Sequence, residues 1–500
     1  MMRNALSSTT NRQIDIIEIL RNADNFVPIK EISEKIDAVP KTILTNCHEI
    51  NAQWGDIVQI EKNDLSELRL SEKDNRSVQE IFSKMIKESP SFQLLELLFF
   101  KPGKLRTDLE KELFLSSSSL YRRIVQLNKG LERRGLLVDR NDLCISGTDE
   151  LQIRLFMTSY FLEVYDSLEW PFHIEKGQLD QAVHYLNTIL QLELTHYEQN
   201  KLAFLIAVSL IRSEQGYTIT LPSQPIHLLN TVTAQQEALK DSTRHLEVYL
   251  KESDLNDLFY TLFWQSIAWD SLEEEQQVEM LCDHLLTTVS DVLKLTFSKR
   301  SRRNCLNLLK SVYTSYKVYP YENFIAYNRE HYNSLTLKKD FTVFSKVLEK
   351  ALINLETKNS TPWYSMYFDH LLFGLFIHWK NLPTQLDALR QPVVTEICSD
   401  LGVKHISLLA FYLEKSYHEK VSLIVRPQLY GNDFTSELFT SDLYITNFPT
   451  EDIPAEKLFV IADVPSRKNL TALSKKIDDI RINKLISELA YLTEKSERII

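Results

Sequence analysis

Apolar positions between residues 105 and 131 recur at helical spacing, broken once by a polar run. Leu105, Leu109 and Leu113 fall at i, i+4 and i+8, one face of a short helix. Ser116–Ser119 interrupt the pattern with residues that favour helix N-termini. Leu120, Ile124, Leu127 and Leu131 then make one stripe of a longer helix. Its other face carries Ser118, Ser119, Tyr121, Arg122, Arg123, Gln126 and Lys129. After Gly135, LLVDRNDLCIS gives two short β-like runs about Arg140-Asn141-Asp142, which predicts a hairpin. SFQLLELLFF (Ser91–Phe100) supplies an opening helix. Three helices and a hairpin in this order predict a winged helix-turn-helix.

The same pattern occurs 77 residues earlier. Ile32 aligns with Leu109, Ile36 with Leu113, Ile43 with Leu120, Cys47 with Ile124, Ile50 with Leu127 and Asn51 with Asn128. NRQIDIIEIL opens this copy, and Pro28 stands where a first helical turn tolerates it. Ile29, Ile32 and Ile36 form an inward face, PKTILTNCHEIN is the second candidate recognition helix, and DIVQIEKNDLSELRLS is its wing. Lys41, Thr42, Thr45, Asn46 and His48 are its candidate DNA contacts. The second copy is the better equipped reader, because arginine can bind guanine through two donors while Ser and Gln serve phosphates or base edges. Two such patterns in register outweigh the alternative of two small helical subdomains with Arg122 and Arg123 merely solvated.

From about 150 to 390 strand signals nearly vanish. One helix is well punctuated, with Thr195 and Glu198 in capping-box spacing and Gly216 at its end. LFYTLFWQSIAW, ending at Trp269, aligns with FDHLLFGLFIHW, ending at Trp379, so that Tyr260 stands where His370 does. Two helical bundles of domain size are the economical reading. Beyond 390 the character changes: Val421–Pro427, Ser441–Phe448 and Glu456–Val464 are short β-rich runs among helical ones, which predicts a small α/β unit with a parallel sheet.

Five hundred residues exceed what one core organises. Apolar (44%) and charged (25%) shares are those of an ordinary globular chain, and ten glycines leave little room for phosphate-cradling loops. The net charge of −11 is uneven: residues 1–150 hold 22 basic and 24 acidic side chains, whereas 101–140 hold 10 and 5. A local excess of five positive charges in an acidic chain fits a nucleic-acid face. The N-terminus has no signal-peptide pattern, and no apolar window is long enough to span a membrane. Five scattered cysteines without a CxxC pair imply neither disulfides nor zinc, and fit a reducing cytoplasm. No P-loop, GxSxG or HExxH occurs, so no catalytic residue, metal or cofactor is expected.

This layout resembles the Mga/AtxA-type transcription regulators of Gram-positive bacteria, most specifically in LFLSSSSLYRRIVQLNKGL. The resemblance covers nearly the whole chain. It implies a mostly α multidomain protein: winged helix-turn-helix units at 1–72 and 78–150, helical phosphotransferase-system regulation domains at 151–272 and 273–390, and an enzyme IIB-like α/β domain at 391–500. It further implies double-stranded promoter DNA as partner, a homodimer, and histidine phosphorylation with the phosphocarrier HPr as donor. Asp369-His370-Leu371 resembles the signature around regulatory histidines, and His196 is the candidate in the first bundle, with His184 and His227 behind it. Enzyme IIB carries a phosphorylatable cysteine after its first strand. Here the expected first strand, Val421–Pro427, is followed by QLYGNDF, and the nearest upstream thiol is Cys398, which points to a dimerisation or docking role. The alternative, an RNA-binding antiterminator with the same regulation domains, would open on a small β-rich domain rather than on helices.

Overall fold

The computed structural model describes residues 2–497, apart from 24, 166–168, 193, 220–228, 244–253 and 426–438. The fold is mostly helical, with one small parallel sheet near the C-terminal end. The chain forms two compact units. The first comprises Met1–Cys282, Leu306–Leu335 and Asn359–His370; the second comprises Asp283–Cys305, Thr336–Lys358 and Leu371–Ile500. Residues 306–335 and 359–370, which the sequence groups with the second bundle, thus cluster with the first unit.

Unit 1 opens with a 3-10 turn, Met2–Ala5, and α1 (Ser8–Arg21), whose N-cap Ser7 accepts from the Thr10 amide. Strand β1 (Val27–Pro28), α2 (Ile29–Ile36), α3 (Pro40–Trp54) and the antiparallel hairpin β2 (Val58–Lys62)–β3 (Glu67–Glu72) follow. The short β1 pairs with β3, a third strand that the sequence did not signal. Next come α4 (Val78–Lys87), α5 (Pro90–Phe100), α6 (Arg106–Glu112), α7 (Ser117–Leu131) and the hairpin β4 (Leu136–Val138)–β5 (Ile145–Gly147). Helix α4 precedes the expected opening helix and is held by a complete capping box from Ser77 and Glu80.

The 77-residue correspondence extends to the backbone. The turn before α3 passes through Asp37 at φ 50° and the turn before α7 through Phe114 at φ 52°; in the hairpins, Ser66 stands at φ 59° and Leu143 at φ 48°. Asn51 and Asn128 have the same task. Asn128 accepts from the Val138 amide (2.8 Å) and donates to its carbonyl (3.0 Å), while Asn51 makes the same pair of bonds to Ile60, both 2.8 Å. An asparagine carboxamide offers an N–H donor beside a C=O acceptor, as a peptide does, so it extends each hairpin's hydrogen bonding onto the helix. The hairpin tips are capped by Asn63 and Asp139, whose Oδ1 atoms accept backbone amides. The expected Leu105–Leu109–Leu113 stripe is corrected. Leu109 is buried, but Leu105 is the extended N-cap of a seven-residue helix and is exposed, and Leu113 is its half-buried C-cap.

Helices α8 (Glu150–Tyr165), α9 (Lys176–Ile189), α10 (His196–Glu214), α11 (Leu229–Ser242), α12 (Asp254–Leu262) and α13 (Trp264–Ile267) continue unit 1. The Thr195–Glu198 capping box opens α10, and Gly216 follows its end at φ 86°. Arg154 and Arg212 are fully buried on acid partners: Arg212 makes two bonds to Glu150 (2.6 and 2.8 Å), and Arg154 meets Asp257 (2.6 Å) and Glu150 (3.2 Å). The next helices are α14 (Leu272–Leu293), α15 (Lys299–Val318), α16 (Arg329–Asp340), α17 (Thr342–Lys358), α18 (Phe368–His378) and α19 (Leu382–Ala388). The 110-residue correspondence therefore matches a helix broken at Phe263 with the continuous α18.

In unit 2, β6 (Val393–Cys398), α20 (Val403–Tyr417), β7 (Val421–Val425), β8 (Leu443–Thr446), β9 (Leu458–Val460) and α21 (Arg467–Glu497) build a four-stranded sheet of order β7-β6-β8-β9, parallel throughout. This corrects the expected strand order. The first strand is VVTEIC, interior in the sheet and buried except for the half-buried Val394, and Cys398 is its last residue. A thiol therefore does stand at the end of the first strand, and what opposes phosphoryl transfer at Cys398 is its burial, 1% exposed. QLYGNDF and the end of the Val421–Pro427 run lie outside the described residues, as does His227.

Candidate nucleic-acid interface

Helix α7 is amphipathic by necessity. Leu120, Ile124, Leu127 and Leu131 are each at most 1% exposed, and burying four such side chains contributes on the order of 1.5–3 kcal/mol apiece. Their burial turns the opposite face outward. The Ser116 side chain caps the helix by accepting from the Ser119 amide, and the Ser119 hydroxyl is tied into the same cluster at 2.9 Å. Ser118, Tyr121, Arg122 and Lys129 are exposed.

Two of the expected contacts are occupied within the chain. Gln126 donates to the carbonyls of Asn4 (2.8 Å) and Leu6 (3.0 Å), and the half-buried Arg123 donates to Gln126 Oε1 (3.2 Å). The 3-10 turn thus lies against the C-terminal half of α7, where a Cβ added to Gly130 would stand 2.4 Å from Met2 Sδ. Asn4, Tyr121, Arg122, Val125, Gln126 and Lys129 line an open groove of about 620 Å³. The hairpin contributes Arg140, whose guanidinium lies 5.4 Å from the Tyr121 ring centre, and Arg106 donates to the Arg140 carbonyl. The sequence marked Arg140 only as a hairpin-tip residue; a basic side chain on an expected wing was the available signal. Arg106, Arg122, Lys129 and Arg140 give this surface four exposed cations. Such a surface suits phosphate contacts by charge and base-edge contacts by the planar donors of arginine.

In the first copy, Lys41, Thr45 and His48 are exposed and Thr42 is half-buried. Thr45 Oγ1 donates to the Lys41 carbonyl. Asn46 does not share that face: it is 3% exposed and donates to the Thr42 carbonyl one turn back (2.9 Å). A side chain bonded to its own helix and shielded from solvent cannot reach a groove, so Asn46 leaves the set of DNA contacts.

The two leading candidate regulatory histidines, His370 and His196, occupy first turns of helices. His370, the third residue of α18, lies with Nδ1 2.8 Å from Glu330, and its side chain is 34% exposed. Burial pushes the Glu330 carboxyl up, but the His370 contact and the charge of Lys201 outweigh it and hold the group below its ordinary value. His331, not singled out by the sequence, lies 2.7 Å from Asp369. His196 is the exposed first residue of α10, and His184 is exposed on α9. Among the described residues no group of His, Cys, Asp or Glu is placed to hold a metal, and no helix is long and apolar enough to cross a membrane.

Residues 74–161, which run from just before α4 into α8, match the Mga helix-turn-helix domain. A provisionally named trans-acting regulator of Streptococcus pneumoniae serotype 4 is 23% identical over 475 residues, covering 91% of this chain and 95% of that protein. The anthrax toxin expression trans-acting positive regulator of Bacillus anthracis is 22% identical over 486 residues, 93% of this chain and 98% of its own length. The capsule synthesis positive regulator AcpA of the same organism is 28% identical over 212 residues, 42% of this chain and 43% of that one. The matched domain coincides with the exposed cationic helix, and two of these relatives run nearly end to end with the chain. The protein thus carries a Mga helix-turn-helix segment at 74–161 and is similar over nearly its whole length to proteins named as trans-acting regulators.

Proposed function

We propose that the protein activates transcription from promoters that it grips with two winged helix-turn-helix heads, residues 78–150 being the main reader and 1–72 the second. The observation that carries this reading is the exposed Tyr121–Arg122–Lys129 face of α7, backed by Arg140, inside the matched domain. Ser118 extends that face, and Lys41, Thr42 and Thr45 serve the second head. Activation rather than repression follows from relatives named as positive regulators.

In this reading the cytoplasmic protein tunes its activity through phosphotransferase-system regulation domains at 151–272 and 273–390. HPr phosphorylates His370 and His196, both in the positive first turn of a helix, where an added phosphate is favourably placed. The enzyme IIB-like unit at 391–500 supplies a homodimer or docking contact. The test is selection of bound sequences from random duplexes with the purified full-length chain, then footprinting on a selected site at several salt concentrations. A discrete protected site with steep salt dependence is expected; salt-independent binding without sequence preference overturns the reading.

A further inference from the structure

The connection between α15 and α16 holds both heads. Arg134, buried just beyond α7, donates to the carbonyls of Glu322 and Phe324 and to the Tyr319 hydroxyl. Three successive amides, of Ile325, Ala326 and Tyr327, donate to the single carboxylate of Glu163 on α8, at 2.6, 2.9 and 2.9 Å. The first head meets the same three residues. The Met2 amide donates to the Ile325 carbonyl (2.7 Å), Arg3 to the Ala326 carbonyl (2.8 Å) and Arg21 to the Tyr327 hydroxyl (2.7 Å). The Tyr327 ring stacks on Phe82 of α4 at 4.4 Å. Ile325, Ala326 and Tyr327 are all buried. Three residues further on, Glu330 meets His370, and His331 meets Asp369.

We propose that Ile325–Glu330 is the element through which a change at His370 reaches the DNA-reading heads, with Glu163 as the positioning residue that fixes it. This rests on the reading of α3 and α7 as DNA readers and adds a route and its residues. The physical reason is geometric. A carboxylate that accepts three consecutive amides fixes one backbone conformation, and α16 begins two residues later at Arg329, so moving Glu330 strains the same short segment. Met2–Ala5 hangs on Ile325 and Ala326 and also lies against Gln126 of α7, so a shift there is delivered to the exposed groove.

Hydrogen exchange of the full-length chain without DNA tests the route. His370→Ala should speed exchange at 325–327, at residues 2–6 and at the end of α7, roughly tenfold for one charged hydrogen bond lost. Coupling is reciprocal, so Glu163→Gln should speed exchange in the first turn of α16. Tyr327→Phe, which keeps the ring stack and loses only the Arg21 bond, replaces Glu163→Gln should that variant not fold. Changes confined in every variant to the mutated end overturn the proposal. A wild-type chain that binds no DNA would instead overturn the reading of the heads, since the exchange result stands without it.

Discussion

Arg122→Gln isolates the interface in one side chain. Arg122 is exposed, its Nε donates only to the Ser118 carbonyl of its own helix at 3.3 Å, and it is off the buried stripe, so the substitution spares the core. If its guanidinium neutralises one phosphate, the slope of log K against log salt should shrink by about 0.9. Taking that contribution to vanish near 1 M, affinity should fall about fivefold at 0.15 M salt and about fifteenfold at 0.05 M. Arg123→Gln is the internal control: half-buried and bonded to Gln126, it should leave the slope unchanged. Fluorescence anisotropy of a labelled duplex across a salt series measures both, with unchanged melting temperatures excluding unfolding. Equal slopes for Arg122→Gln and wild type, or a larger loss for Arg123→Gln, would refute the assignment.

Other expectations follow from single contacts. Asn128→Ala removes two bonds and strands the buried Val138 amide and carbonyl, which should cost about 2–4 kcal/mol in denaturant unfolding, against about 1–2 for the half-buried Asn51→Ala; equal, negligible losses would deny the asparagines their bridging role. Phe114, 94% exposed at φ 52°, should become more stable by about 0.5–1 kcal/mol as glycine, read as a raised melting temperature, whereas a fall would mean that its ring has a hidden packing role. Glu150→Ala leaves Arg212 without its paired acid and should destabilise by about 3–5 kcal/mol, checked by thermal unfolding. Incubation with phosphoenolpyruvate, enzyme I and HPr should give acid-labile label that falls in His370→Ala and His196→Ala and disappears in the double variant; label equal to wild type in all three removes both histidines.

Local chemistry made the heads legible. A stripe of Leu120, Ile124, Leu127 and Leu131 has only one way to hide from water, so helix α7 and the outward placing of Ser118, Tyr121, Arg122 and Lys129 followed from spacing alone. The match of Asn51 with Asn128 was also visible, but its meaning needed the hairpins in place, because each side chain bonds a strand nine or ten residues away. VVTEIC went unread as the first strand because Thr395 and Glu396 break its apolar positions, and six residues next to helices carry too little periodicity to separate strand from helix.

Contacts between distant parts of the chain decided the rest. Whether a polar side chain on a helix faces a ligand or its own protein depends on what else arrives there. Gln126 is taken by carbonyls some 120 residues earlier, and Asn46 is turned inward by burial. His370 and Glu330 are 40 residues apart, and Glu163 and Ile325 are 162 apart. Periodicity reports which face of an element is buried, since that is a property of neighbouring residues. It carries no term for which distant element does the burying, and that is where the candidate control of this protein resides.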